Sequence, residues 1–498
     1  MAQSDQALKK AADEDAAVET VDVVAVNARA RRSLYEKREK IYPKKAVGRF
    51  RRIKWGVMAV TLAIYYVAPW LRWDRGPGLP DQAILIDLPA RRFYFFFIEI
   101  WPEEVYFLTG LLILAALALF LVTSLAGRVW CGYTCPQTVW TDLFIAVERM
   151  IEGERLQRMR LDAAPWTMGK VARKAIKHAV WLLIAVATGG AWVFYYADAP
   201  TLAGQLARFD APMVAYAFIG LFTFTTYMLG GIAREQVCIY MCPWPRIQGA
   251  LQDEDSLIVS YHPARGEPRG PHKRGAAWEG HGHCIDCNQC VAVCPMGIDI
   301  RDGQQMECIS CALCIDACDS VMDKIDLPRG LIGYDTLAGL ERQRTDEKPK
   351  VRLLRPRTIV YGAALALVAG IMVVALATRS LLEIGVERDR NPLFVMLSDG
   401  SIRNAYTVKI RNKQHEERTY RLTVRGPAGA VVSASEGARN GEAPLLTTPP
   451  DQVRSYRILV TVPAGTMHDK EADMTFLLTD ITDGTTARYE TEFRGPKR

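Results

Sequence analysis

The chain has 498 residues, of which half are hydrophobic and 23% charged, and it carries a net charge of +7. At about 150 residues per domain, that length allows two to four domains. Apolar bulk mixed with so many charges fits a membrane protein with substantial polar parts rather than a pure transporter. The mild positive balance calls for no nucleic-acid partner, because the basic residues flank apolar stretches where a lipid bilayer accounts for them.

Residues 1–26 are acidic and alanine-rich, with no apolar core of a signal peptide, and predict a disordered cytoplasmic tail. Five charge-free stretches then match the roughly 17–25 residues a bilayer core requires. They run over 55–71, 105–127, 179–197, 211–233 and 358–378, the first being short and carrying Pro69. A further apolar run at 93–98 is too short and is followed by Glu99, so it reads as an aromatic interfacial segment.

Lysine and arginine counts set the orientation. Fourteen precede the first span and eight lie in the 128–174 loop, against four between spans one and two and only Arg208 after span three. By the positive-inside rule the N-terminus, the 128–174 loop and the long 234–357 segment are cytoplasmic, and residues 379–498 lie outside. All twelve cysteines then fall on the reducing side, where thiols serve as metal ligands rather than disulfides. The division that follows is a tail (1–54), a four-helix membrane domain (55–233) with two Cys-x3-Cys-Pro motifs, a cytoplasmic ferredoxin-like domain (234–357), a fifth span (358–378) and a periplasmic domain (379–498).

The first of those motifs is Cys131-Gly-Tyr-Thr-Cys135-Pro136 and the second Cys238-Ile-Tyr-Met-Cys242-Pro243. Each closes a two-span hairpin, so spans one–two and three–four predict a parallel internal repeat. If the helix runs on through each motif, the paired cysteines share one face with Cβ atoms about 5–6 Å apart. Cys131, Cys135, Cys238 and Cys242 are therefore candidate ligands for one soft ion such as Cu(I), zinc or an iron–sulfur unit. The bland alternative is four small buried residues, against which the duplication with matched Tyr and Pro argues.

The strongest pattern lies between residues 284 and 318. Cys284-x2-Cys287-x2-Cys290-x3-Cys294-Pro295 is followed by Cys308-x2-Cys311-x2-Cys314-x3-Cys318, the bacterial two-cluster arrangement written twice. In it the fourth cysteine of each run serves the other cluster. Cys284, Cys287, Cys290 and Cys318 are assigned to one 4Fe–4S cluster, and Cys308, Cys311, Cys314 and Cys294 to the second. Paired zinc knuckles do not explain three cysteines at gaps of two closed by a fourth, done twice. One departure is Asp319 where proline would follow Cys318. His281 and His283 precede the first ligand and read as a polar loop more readily than as metal ligands. No histidine lies inside a predicted span and only His178 borders one, which excludes a membrane haem held between two histidines.

Residues 391–498 alternate in short runs (405–410, 418–424, 455–462, 474–478, 487–493) between turn signals. Six or seven strands without cysteine predict an immunoglobulin-like β-sandwich. His468 beside Met467 reads as a surface turn. Taken together, the fold class is a multi-domain membrane protein with five transmembrane helices, a two-cluster ferredoxin-like domain and a C-terminal β-sandwich.

The ordered combination of the segment Ile86-Asp-Leu-Pro-Ala-Arg-Arg-Phe-Tyr94, both Cys-x3-Cys-Pro motifs, the two-cluster cysteine set and the β-sandwich resembles the CcoG family, also called FixG or RdxA. These are cytochrome c oxidase accessory proteins of the bacterial inner membrane. The membrane half also resembles NapH-type quinol dehydrogenase components. The resemblance implies reduction of Cu(II) to Cu(I) during assembly of a cbb3-type oxidase, with assembly factors or a copper chaperone as partners, an unidentified electron donor, and a homodimer left open. Two other readings compete. In a NapH-like conduit, quinol electrons would reach the clusters, with Glu99, Glu103 and Glu104 serving proton transfer. In a non-redox scaffold, the C-terminal domain alone would do the work.

Overall fold

The computed structural model describes residues 18–27, 39–76, 78–272, 278–345, 352–435, 438–440, 443–467 and 469–496. His468 and residues 1–17 of the expected tail lie outside the described residues. Two compact units result, Met1–Met372 and Val373–Arg498.

In the first unit the main helices are α1 (Arg49–Val67), α2 (Tyr106–Ala126), α3 (Pro136–Glu152), α4 (Met168–Val193), α5 (Met213–Thr226) and α6 (Pro356–Ala377). Among the described residues, five helical runs are long and apolar enough to cross a membrane: Arg49–Trp70, Pro102–Ala126, Met168–Val193, Met213–Ala233 and Pro356–Ala377. The last exposes Leu367, Ile371, Val373 and Val374, a surface that requires an apolar solvent. The protein is a membrane protein.

Two elements reach beyond the stretches read from the sequence. The helix that carries the third span begins at Met168, ahead of the charge-free stretch at 179, and the lysines of its first turns have partners. Lys170 Nζ donates to the carbonyls of Asp162 (2.9 Å) and Ala164 (2.5 Å), and Lys174 and Lys177 each pair with Glu152 at 2.9 Å. His178 therefore lies inside α4, its Nδ1 2.8 Å from the Tyr227 hydroxyl. The aromatic segment at 93–98 forms no spanning helix. It belongs to a meander of β1 (Ile84–Asp87), β2 (Arg92–Phe95) and β3 (Ile98–Ile100), pinned by the buried Arg92–Glu99 pair at 2.9 Å.

The tail also departs from expectation. Val21 and Ala25 are buried, Val21 N donates to Cys287 O at 3.0 Å, and Asn27 Nδ2 donates to Met296 O at 2.7 Å. Residues 18–27 are thus packed on the cysteine-rich module. The first membrane helix is tied to the same module at its N-terminus, where helix amides lack partners. Asp316 accepts from Phe50 N (3.1 Å) and Arg51 N (2.7 Å). A side chain at Gly48 would meet Asp316 Cγ at 2.3 Å, so only glycine allows that approach. Arg51 and Lys54, counted above as flanking charge, are buried against Asp142 of α3.

Strands β4 (Ile258–Tyr261) and β5 (Ile332–Asp335) pair antiparallel in the first unit. The second unit is a β-sandwich. One sheet runs β10-β13-β8-β6 with β7 on β8, the other β11-β12-β9-β14-β15. Here β6 is Leu382–Arg388, β7 Val395–Met396, β8 Ile402–Asn412, β9 Arg418–Arg425, β10 Val431–Ala434, β11 Ala438–Asn440, β12 Ala443–Thr448, β13 Gln452–Val462, β14 Glu471–Asp480 and β15 Thr486–Arg494. The strict in–out alternation of β8 puts Ile402, Tyr406, Val408 and Ile410 in a core with Tyr420, Leu422, Leu446, Phe476 and Phe493. The runs read from the sequence correspond to β8, β9, β13, β14 and β15; β6, β7, β10, β11 and β12 were not among them.

Candidate electron-transfer and metal site

The two cysteine runs fold alike. Cys287 is flanked by left-handed Asp286 (φ 52°) and Asn288 (φ 56°), and Cys311 by Ser310 (φ 54°) and Ala312 (φ 59°). Such alternation turns successive amides towards one centre, a concavity suited to an anionic group. Arg301 holds the first turn by donating to Asp286 Oδ1 (2.5 Å) and Asn288 Oδ1 (2.7 Å). Tyr334 holds the second, its hydroxyl donating to Ser310 O at 2.9 Å.

The thiols sort into crossed sets. Cys318 faces Cys290, Cys287 and Cys284, while Cys294 faces Cys311 and Cys308. Cys314 faces Cys311, Cys308 and Cys294, with Cys290 beyond. Burial pushes Cys290 and Cys294 up to about 12 and Cys308 to about 11. Buried thiols so reluctant to ionise in water's absence are what a metal must discharge. Backbone amides of Gln289, Met296 and Ser310 point at the sulfurs of Cys287, Cys294 and Cys308, the pattern that tunes iron–sulfur potentials. The residues fit two clusters. Asp319 does not disturb the last ligand: the helix Leu313–Lys324 runs on through it, and its carboxylate accepts from Gly330 N at 3.0 Å. His283 Nδ1 accepts from Arg265 Nε at 2.9 Å, which keeps it in the polar loop.

The Cys-x3-Cys-Pro motifs come together, but not on continuous helices. Cys131 lies in the short helix Val129–Tyr133, and Cys238 in the π-helix Val237–Met241. Cys135 (ψ 127°) and Cys242 (ψ 122°) are extended, because a following proline disfavours the helical conformation. Each second cysteine closes the same wide turn: Cys135 N donates to Trp130 O at 2.9 Å and Cys242 N to Val237 O at 2.8 Å. Four residues before each first cysteine the chain breaks in the same way, at Gly127 (φ 57°, ψ −124°) and Arg234 (φ 46°, ψ −114°). The repeat thus extends in the backbone beyond the shared letters. Cys238 lies within electrostatic range of Cys131, Cys135 and Cys242, and Cys131 within range of Cys135 and Cys242; burial raises Cys131 to about 11 and Cys238 to about 12.

Three supporting features lie beyond what the sequence indicated. Gln248 is fully buried; its Oε1 accepts from the Cys131 thiol at 3.1 Å, and its Nε2 donates to Thr123 Oγ1 at 3.3 Å. Glu148 of α3, also fully buried, accepts from Arg234 Nη2 at 2.7 Å and so ties the helix after the first motif to the break before the second. Gly132 packs on the cluster-binding loop: a Cβ there would lie 2.7 Å from Ile309 O and 3.0 Å from both Cys311 Cα and N. Cys131, Cys238, Cys294, Cys308 and Cys311 consequently share one packed cluster. Of the acids considered for proton transfer, Glu99 pairs with Arg92 and Glu104 accepts from Trp101 N at 3.1 Å, both structural roles.

Comparison with known proteins agrees with this geometry. A model described as "4Fe-4S dicluster domain" matches residues 233–337, a "4Fe-4S binding domain" matches 108–151, and "IG-like fold at C-terminal of FixG" matches 372–496. The nitrogen fixation protein FixG of Rhizobium meliloti is 52% identical, over 97% of this chain and 98% of that protein. The chain belongs to the FixG/RdxA family. Proteins RdxB and RdxA of Cereibacter sphaeroides are each 53% identical, covering 93% and 87% of this chain and 98% and 91% of their own lengths. A crystal structure of a FixG-related protein from Vibrio parahaemolyticus matches 24% of this chain and all of its own, at 22% identity and a TM-score of 0.21. This FixG-family chain is an iron–sulfur electron-transfer protein of the membrane.

Proposed function

We propose that the chain reduces Cu(II) to Cu(I) during assembly of a cbb3-type cytochrome c oxidase. Cys284, Cys287, Cys290 and Cys318 hold one 4Fe–4S cluster and Cys308, Cys311, Cys314 and Cys294 the second; Cys131, Cys135, Cys238 and Cys242 receive copper. Both clusters and the N-terminus face the cytoplasm of a bacterial inner membrane, and the β-sandwich faces the periplasm, where it meets assembly partners.

The observation that carries the reading is the Gly132 contact, which sets the copper-binding motif in van der Waals range of the Cys311 backbone. Bound clusters supply electrons one at a time, and Cu(II) needs one to become Cu(I). The chain's own residues do the rest. Gln248 orients the Cys131 thiol, and the paired thiols give up protons as they take the soft product ion.

The test is anaerobic titration of the purified, dithionite-reduced full-length protein with Cu(II), with cluster absorbance and a Cu(I)-specific chelator followed together. Stoichiometric oxidation with matching Cu(I), abolished by serine at the four motif cysteines while iron content holds, supports the reductase. Clusters that stay reduced beside Cu(II) overturn it; their reduction by a quinol would then favour the conduit.

A further inference from the structure

Beside the second Cys-x3-Cys-Pro motif lies a cavity of about 430 Å3, walled by Cys238, Met241, Cys242, Arg246, Met306 and Glu307 among others. Four of the twelve lining residues carry sulfur. Met241 and Met306 are 64% and 49% exposed, so neither side chain is enclosed core filler, and the Met306 sulfur lies beside Gly249. At about 30 Å3 per water, the cavity admits an ion that still carries a hydration shell or a small carrier ligand.

The wall that bears Met306 is held in place. Arg128 Nη1 donates to the Met306 carbonyl, and Gln305 Nε2 donates to Asp299 O at 2.5 Å. The same residue lines a neighbouring cavity of about 580 Å3 that includes Arg128 and Cys308. Met306 therefore stands on the partition between a space that reaches Cys238 and Cys242 and a space that reaches a cysteine of the second run.

We propose that Met241 and Met306 form a thioether relay in this cavity, through which the Cu(I) product exchanges between Cys238 and Cys242 and an outside carrier. This rests on the copper reading above and adds its route. The chemistry favours thioethers as first contact. A thiol must lose a proton before it binds metal, whereas a thioether is neutral and ready at any pH. It also selects Cu(I), the product of the reduction, over harder ions and holds it weakly enough to exchange it between a thiolate pair and a carrier.

The test uses full-length protein in lipid nanodiscs with its clusters intact, given Cu(I) as its bicinchoninate complex, whose colour is lost as copper is transferred. Leucine conserves methionine's volume, so Met241→Leu, Met306→Leu and the double variant are compared with Met150→Leu, which changes an exposed methionine on α3 that lines neither cavity. The double variant is expected to slow transfer by about tenfold, the scale of losing a group that supports a metal site, with final Cu(I) affinity and iron content unchanged. A double variant that loads at the wild-type rate, or a Met150→Leu variant that slows as much, overturns the proposal. Failure of the reductase reading looks different: wild-type protein would take up Cu(I) normally yet leave its clusters reduced in Cu(II). The thioether route would still be judged by the transfer rate.

Discussion

Replacing Gly132 by alanine puts one methyl group at the junction of the two redox-relevant motifs. The new carbon would start 2.7 Å from Ile309 O and 3.0 Å from two backbone atoms of Cys311. Ordinary carbon contacts begin near 3.3 Å to oxygen and about 3.5 Å to carbon, so one side must retreat by roughly half an ångström. No side chain can swing aside, because all three opposing atoms are backbone, in a loop fixed by left-handed Ser310 and Ala312. Overpacking of this kind costs about 1–3 kcal/mol, while the better helix propensity of alanine returns up to about 1 kcal/mol. The net expectation is a loss of roughly 1–2 kcal/mol at the contact. Gly169→Ala is the control, since nothing lies within 4 Å of its added carbon. The assay is iron and sulfide content, the rate of iron loss to a chelator, and the spectrum of the dithionite-reduced protein. Gly132→Ala should shed iron faster and pass electrons to Cu(II) more slowly, with Gly169→Ala unchanged. Wild-type iron retention and Cu(II)-driven oxidation in Gly132→Ala would refute the close-approach argument.

Glu148→Gln should leave Arg234, Lys40 and Arg158 facing a neutral amide, at a cost of about 3–5 kcal/mol for a broken buried pair. Burial would raise the Glu148 carboxyl, but Arg234, Lys40 and Arg158 outweigh it and hold it down at about 2 against an ordinary 4.5. A depressed acid stabilises above its unfolded value and loses that contribution as pH falls through its folded one. The gap in thermal midpoint between wild type and Glu148→Gln should therefore be constant above pH 4.5 and narrow towards pH 2. Asp316→Ala should remove the acceptor of Phe50 N and Arg51 N, costing about 1–2 kcal/mol. Hydrogen exchange at those two amides should quicken by about 5–30-fold, and unchanged exchange would show that Asp316 does not cap α1.

The cysteine spacing made the cluster module legible, because ligand geometry constrains sequence at a distance of two or three residues. The sandwich was legible in β8, β9, β13, β14 and β15, all of eight residues or more, and missed at β6, β7, β10, β11 and β12, all of seven or fewer, even though β12 alternates as strictly as β8. The broken motif helices could have been anticipated: Pro136 and Pro243 each push the cysteine before them out of the helical region. Gly132 and Gly48 carried a weaker signal, as glycines can mark close backbone approach without naming the partner. Nothing marked Gln248, Asp316 or Glu148. Their partners lie 117, 266 and 86 positions away, and such pairings arise only from the tertiary fold.

The twin backbone breaks at Gly127 and Arg234 make the two halves of the repeat unequal in how they can vary. At Gly127 the unusual torsion is intrinsic to a residue without a Cβ. At Arg234 it is imposed on a residue that resists it, by an anchor to Glu148, a bond from its Nε to Gly231 O at 2.8 Å, and the Trp181 ring 5.2 Å from its guanidinium. Glycine at 234 would suit the torsion yet abandon the anchor, whereas a side chain at 127 would start 2.9 Å from Leu257 O and 3.1 Å from Gln252 Nε2. The halves match in path but are not interchangeable parts. A chimera that doubles either one would keep the cysteines and lose what sets them.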